Sequence, residues 1–176
     1  AYIAYIETMF EKAGLANGQA AAKTIMALES RIAAEHMLKE LTRDFEKNYS
    51  KVPLNELNDV MPDFSWDSYL DTAGISAIDG LVVMMNDYMR SLDDIITDTS
   101  MDDWKTFLTW KVLNASATVL NEDLDQESFD FYSKTLRGVE QPLPRWKRAV
   151  SNVNGNLGEV AGKVYVARHF PPQAKE

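Results

Sequence analysis

From Ile3 to Tyr165 the apolar side chains return every three or four residues, and the pattern is cut by Gly14, Gly74 and Gly138 and by the prolines Pro53, Pro62, Pro142 and Pro144. A chain punctuated in this way folds as a succession of amphipathic helices rather than as alternating strands. Segment 2–13 sets Ile3, Ile6, Met9 and Phe10 on one face, with Gly14 as its stop. Asn17 is a fair N-cap for a long helix running toward Lys47, its apolar stripe drawn by Ile25, Leu28, Ile32, Leu41 and Phe45. At about 1.5 Å per residue, roughly 30 residues reach ~45 Å, enough to cross a small domain.

Pro53 and Pro62 bracket a short helical turn over 54–61, because each proline pushes the preceding residue out of the α region. Asp63 or Ser65 caps a helix carrying Trp66, Tyr69 and Leu70 that ends near Gly74. The run Leu81-Val82-Val83-Met84-Met85 is too short for periodicity to decide, and reads as a buried strand or the entry to a helix. Tyr88, Leu92 and Ile95 continue at helical spacing, and Thr99 or Ser100 opens the next helix with Trp104, Phe107, Leu108 and Val112 as its buried face. A helix over 126–136 aligns Phe129, Tyr132 and Leu136, and two last helices are predicted from Arg145 toward Val153 and over 157–170, with a turn at Asn154-Gly155-Asn156. The expectation is an irregular all-α segment over 1–176, with at most a minor strand near 81–85.

The 176 residues suffice for one domain with a real core, and 45% hydrophobic and 26% charged residues place the chain in the ordinary globular class. No apolar run approaches the roughly 18–20 residues of a membrane span. The start Ala1-Tyr2-Ile3 has no basic-then-apolar leader and reads as a trimmed or internal segment. Cysteine is absent, which rules out a disulfide framework and a thiolate metal site within these residues. The net charge of −9 divides unevenly: 0 over 1–53, −14 over 54–130 and +5 over 131–176. An acidic middle argues against nucleic-acid binding, which needs clustered Lys and Arg.

Candidates for chemistry are few. The two histidines, His36 and His169, are far apart, and the His-Glu-x-x-His spacing that puts two ligands and a general base on one helix face is missing. His36 and Glu40 could share a face, but two ligands make no metal site, and an ordinary surface pair is the better account. His169 beside Arg168 suits the negative end of a helix dipole. The carboxylates between Asp93 and Glu127 straddle helix ends without calcium-loop spacing. Trp66, Trp104, Trp110 and Trp146 read as core residues, Trp146 being buried at a helix start with Arg145, Lys147 and Arg148 outside. No nucleophile motif, phosphate loop or dinucleotide loop occurs. The expected catalytic, cofactor-binding and metal residues are therefore none.

Several stretches carry a family likeness. Pro144-Arg145-Trp146-Lys147-Arg148-Ala149-Val150, followed by Leu157-Gly158-Glu159-Val160-Ala161-Gly162-Lys163-Val164-Tyr165-Val166, resembles a landmark of the neprilysin-type zinc metalloendopeptidases, peptidase family M13. The opening Tyr2-Ile3-Ala4-Tyr5-Ile6 with Ala13-Gly14-Leu15 is similar to the family's first helix of this region. Leu28-Glu29-Ser30-Arg31-Ile32-Ala33 resembles its Leu-Glu-x-x-Ile-Ala helix, and Arg43-Asp44 through Tyr49 the end of that helix. Pro62-Asp63-Phe64-Ser65-Trp66-Asp67-Ser68-Tyr69-Leu70, the stretch from Trp104 to Trp110, and Phe129-Asp130-Phe131-Tyr132 follow in the family's order. Ala149 stands where secreted animal members carry a cysteine, which suggests a bacterial-type member.

The resemblance implies the N-terminal helical lobe of a larger protease, a lobe that caps the catalytic lobe and encloses a chamber, with the zinc ligands later in the chain. It implies Zn2+ in the full-length parent and none in this segment. The implied partners are the remainder of the same protease and, through its chamber, peptide substrates. The enzyme class belongs to the parent, for which an extracytoplasmic site is favoured and a cytoplasmic one possible. An isolated segment of this kind is expected to expose apolar surface that drives self-association. The alternative is a free-standing helical interaction module that binds a partner helix or a basic peptide. A small di-metal helical enzyme is disfavoured by the absence of Glu-x-x-His pairs.

Overall fold

The computed structural model describes residues 1–170 and Gln173. It is an all-α chain with one minor two-stranded sheet, and it divides into two compact units, residues 1–128 and 129–176.

In the first unit, α1 (Tyr2–Lys12) and α2 (Gly18–Ala34) form a hairpin against α7 (Met101–Ser116). The core follows from the helical spacing of Ile6, Met9 and Phe10 on α1, Ala22, Ile25 and Leu28 on α2, and Trp110 and Leu113 on α7, all buried. Close approach of the first two helices depends on Gly18, where a Cβ would lie 2.9 Å from the Glu7 carbonyl oxygen. Gly14, at φ +70°, stops α1 as expected. Asn17 does occupy the N-cap of α2, but in the left-handed conformation (φ 61°) and without a side-chain capping bond.

The long helix predicted toward Lys47 breaks. α2 ends at Ala34, and the chain continues through a 3-10 turn (Leu41–Arg43) into the single turn α3 (Phe45–Asn48). The stripe Ile25, Leu28, Ile32 would next need apolar residues at 35 or 36 and at 39, where Glu35, His36 and Lys39 stand. With no burial to gain, the helix closes through bonds from the Glu35 N–H to Ile32 and the His36 N–H to Ala33. Leu41 and Phe45, expected in the stripe, are exposed.

A second core lies around β1 (Ser50–Pro53), α4 (Leu57–Val60), α5 (Trp66–Thr72), β2 (Gly80–Val83) and α6 (Asn86–Asp98), and it buries Val52, Leu57, Val60, Met61, Trp66 and Val83. The run left undecided between strand and helix is thus strand up to Val83. It pairs antiparallel with β1 in the register Val52↔Leu81 and Pro53↔Gly80. Met85 then turns into α6 at φ 57°.

On α7 the buried face is Trp110 and Leu113, with Trp104 and Phe107 half-buried, whereas Leu108 and Val112, expected inside, are exposed. Two apolar stripes run along this helix, and periodicity alone does not tell which faces the core. α8 (Glu122–Phe129) starts four residues earlier than expected, because the Asn121 side-chain oxygen accepts from the Leu124 N–H at 2.9 Å over an acidic first turn.

In the second unit a π-helical turn (Asp130–Thr135) leads to Gly138 at φ +71°, and α9 (Arg145–His169) follows Pro144. The two helices predicted here do meet at a kink, but Asn154-Gly155-Asn156 are themselves helical and the break lies just after them. Asn156 donates its side-chain amide to the Asn152 carbonyl at 2.8 Å, which keeps that acceptor satisfied, and the irregularity falls instead on Leu157 (φ −125°, ψ 26°).

Candidate functional site

The two histidines do not converge on a metal-ligand group. His36 lies beyond the end of α2 with its ring 4.5 Å from that of Tyr88, and the helix face it was expected to share with Glu40 does not form. His169 stacks 5.0 Å from Tyr165 in the last turn of α9, beside Arg168. Among the described residues no group of three or more His, Asp or Glu side chains is placed to hold a metal ion. The described residues do not fit zinc.

Several of the acidic residues have structural roles. Ser100 caps α7, accepting from the Asp103 N–H at 3.2 Å and donating to the Asp103 carboxylate at 2.8 Å. Glu127 pairs with Lys12 at 2.6 Å. Asp93 is buried, and its Oδ2 accepts from the Asp63 N–H at 3.0 Å, holding the loop that enters α5. Sequence reasoning grouped Asp93 with the solvated acids, since nothing local distinguishes it. Lys51 and Asp79 pair at 2.9 Å beside the sheet. The hydrogen bond to Lys51, and then its charge, hold the Asp79 carboxyl below the usual range, while the same pair raises Lys51. A shallow cavity of about 300 Å³ between α2 and α6 is lined by Arg31, Ala34, Glu35, Ser91, Asp94 and Ile95. Of these, Glu35 accepts from Ser91 at 2.9 Å, and Arg31 faces Asp98, outside the lining, at 3.9 Å.

What the described residues present in quantity is exposed apolar surface. On α7, Met101, Leu108, Val112 and Val119 just beyond its end repeat seven, four and seven residues apart, and Val112 is 67% exposed. Leu38, Leu41, Phe45 and Tyr49 are exposed in the segment after α2. The most regular strip is on α9. Trp146, Val150, Val153, Leu157, Val160 and Val164 follow one another at spacings of four and three, and no residue of that helix is buried. Trp146, expected to be buried, is 65% exposed, and Lys147 lies over its ring at 5.5 Å. The expectation failed because an apolar residue at a helix start was assigned to a core that these residues do not build. Among the described residues no helix is long and apolar enough to cross a membrane.

Comparison with known proteins places these features. The model of peptidase family M13 matches residues 1–176. Endothelin-converting enzyme 1 of Mus musculus is 26% identical over 156 residues, which is 86% of this chain and 20% of that protein. Endothelin-converting enzyme-like 1 of Rattus norvegicus is 26% identical over 99% of this chain and 23% of its own length. The zinc metalloprotease Zmp1 of Mycobacterium tuberculosis in its open state superposes with a TM-score of 0.89 at 34% identity, over 99% of this chain and 28% of that one. Its inhibitor complex gives 0.89 at 33% identity, over 97% of this chain and 27% of that one. The chain thus spans about a fifth to a quarter of the curated relatives and little more than a quarter of the solved protease. The likeness to a mycobacterial protein agrees with the bacterial type that Ala149 suggested. From its first residue to its last, the chain belongs to peptidase family M13.

Proposed function

We propose that this chain is the non-catalytic helical part of a zinc metalloendopeptidase that cleaves oligopeptides, and that it shapes the substrate chamber and limits access to it. The observation that carries this reading is the joint one of a family match over 1–176 and a span of only 28% of a solved zinc metalloprotease of the same fold. The described residues fit no zinc ion, so the metal and the chemistry it supplies belong to other residues of the parent. What these residues supply is packed helices and exposed apolar side chains for the rest of the protease to cover. Exclusion of folded proteins by such a body would make the parent an oligopeptidase.

The test is intact mass and zinc content of the protein isolated from its native source. A polypeptide several times 19.9 kDa, or two associated chains, with about one zinc per assembly supports the reading. A single 19.9 kDa species without zinc overturns it and favours a free-standing interaction module.

A further inference from the structure

The helical body of α1, α2 and α7 is interrupted in sequence. The chain leaves it at Ala34, builds the second core from β1 to α6, and returns at Met101. Departure and return lie side by side, since the Arg31 guanidinium donates to the Thr99 hydroxyl at 3.4 Å while Lys111 pairs with Glu29 at 2.8 Å and holds α2 against α7. A body attached at two neighbouring points can turn about them, provided the connections absorb the change in backbone angle. Here both do. Thr99 and Ser100 are extended between two helices, at φ −85°, ψ 130° and φ −61°, ψ 149°. The other connection, 35–49, has a 3-10 turn and the single turn α3, and its Leu38, Leu41, Phe45 and Tyr49 are exposed, which leaves it slack.

Packing is extensive on either side of this joint and thin within it. α2 turns Ala21, Ala22, Ile25 and Leu28 into the first core, and α6 sets Met89, Leu92 and Ile96 against the second. Where the two helices meet, Ile95 is buried, but Arg31, Ala34, Glu35 and His36 on the α2 side are exposed. The Trp104 indole donates to the Ile96 carbonyl at 3.3 Å beside the Thr99-Ser100 pivot. From the pivot outward come the Arg31–Asp98 pair, the Glu35–Ser91 hydrogen bond and the His36 ring against Tyr88. Exposed polar contacts of this kind add little stability, and they border a cavity of about 300 Å³ instead of filling it. Few apolar contacts and exposed hydrogen bonds mark where a fold opens first. We propose that β1 to α6, residues 50–98, is a hinged module that swings as a unit on the α1–α2–α7 body, parting α6 from the end of α2 and opening the cavity between them.

The test is distance measurement by double electron–electron resonance in the full-length protein, with spin-labelled non-canonical residues at Lys23 on α2 and Asp71 on α5, both exposed. Labels at Lys23 and Lys105, inside the body, and at Asp71 and Arg90, inside the module, give two reference distances. A second population is expected between Lys23 and Asp71 while both references stay single. Glu35→Ala with His36→Ala removes two of the outer contacts and should raise that population by roughly threefold. Ala34→Leu adds apolar contact beside Ile95 and should lower it. A single narrow distance between Lys23 and Asp71 in the wild type overturns the proposal, whether or not the variants fold. So does a second population shared by a reference pair, which would mean unfolding within a core, or one that neither variant moves, which would place the joint elsewhere. The protein's mass and zinc content enter none of these outcomes, so the hinge stands or falls apart from the proposed function.

Discussion

Tyr5 donates its hydroxyl to the side-chain oxygen of Asn114 across 2.7 Å, tying the first helix to one 109 residues later. The Tyr5 ring meets Trp110 edge-on at 5.5 Å, and Trp110 donates in turn to the Tyr2 hydroxyl at 3.1 Å. Tyr5→Phe keeps the ring contact and removes the donor, at a cost of about 1 kcal/mol, or roughly 2–4 °C of melting temperature for a chain of this size. Tyr5→Ala removes the ring as well and costs about 3–5 kcal/mol. Thermal unfolding followed by circular dichroism checks both; equal losses would mean that the hydroxyl, not the ring, holds the joint.

Two glycine substitutions should move stability in opposite directions. At Gly18 a Cβ would sit 2.9 Å from a backbone oxygen of α1 and 3.2 Å from the Phe10 Cβ, neither of which can swing aside. Gly18→Ala is therefore expected to lose about 1–3 kcal/mol despite the better helix propensity. At Gly158 nothing lies within 4 Å, so Gly158→Ala should gain up to ~1 kcal/mol in α9 helicity. Urea unfolding of the two variants decides, and a loss at Gly158 would mean that something approaches that face closely.

The contrast between these glycines bears on how much the sequence discloses. Helix positions were legible wherever a stop or cap is local, as at Gly14, Gly74, Ser100 and Gly138, because their effect depends on backbone conformation alone. The end of α2 at Ala34 was also written locally, in the polar residues that interrupt the stripe, but propensity alone carries the helix past them. What was not legible is which of two apolar faces a helix buries. Leu108 and Val112 are as apolar as Leu113, and only the arrangement of α1 and α2 decides that Trp110 and Leu113 turn inward. Trp146 follows the same logic: it is as apolar as Trp110, and only its place in the fold leaves it exposed. Of the candidate site, the absence of a His-Glu-x-x-His stretch is a fact of the sequence itself, whereas the exposure of the apolar residues of α9 is not written in their spacing.

The Lys51–Asp79 pair yields a pH prediction. Asp79 is held below the ordinary carboxyl value by the hydrogen bond and charge of Lys51, so the contribution of the pair is present above the unfolded-state value near 3.9 and is lost as pH falls through the lower folded value. Lys51 is raised, so at the alkaline end the pair persists past the ordinary lysine value and is lost above it. Titration of the Asp79 carboxyl carbon by NMR should give a midpoint below the ordinary value, returning to it in Lys51→Met. Both groups are solvent-exposed, so the same variant should leave the melting temperature nearly unchanged. An unchanged Asp79 midpoint in the variant would show that Lys51 is not the cause.

Asp93 tests whether the second core depends on one buried polar contact. Only 3% of the residue is exposed, and its Oδ2 caps the Asp63 N–H at 3.0 Å, next to Pro62 and ahead of the helix that carries Trp66. Asp93→Ala leaves that N–H without this acceptor and opens a small void, so a loss of about 1–3 kcal/mol is expected. Asp93→Asn retains an oxygen for the bond and the same shape, and exchanges an acceptor that has no hydrogen-bond partner, Oδ1, for a donor in the same place. It should stay within about 1 kcal/mol of the native protein. The readout is hydrogen exchange of the Asp63 amide beside global urea unfolding. In Asp93→Ala that amide should lose protection by more than the global change accounts for, because the loop is released before the core. If Asp93→Asn is as damaging as Asp93→Ala, the carboxyl group does something the Asp63 contact does not capture.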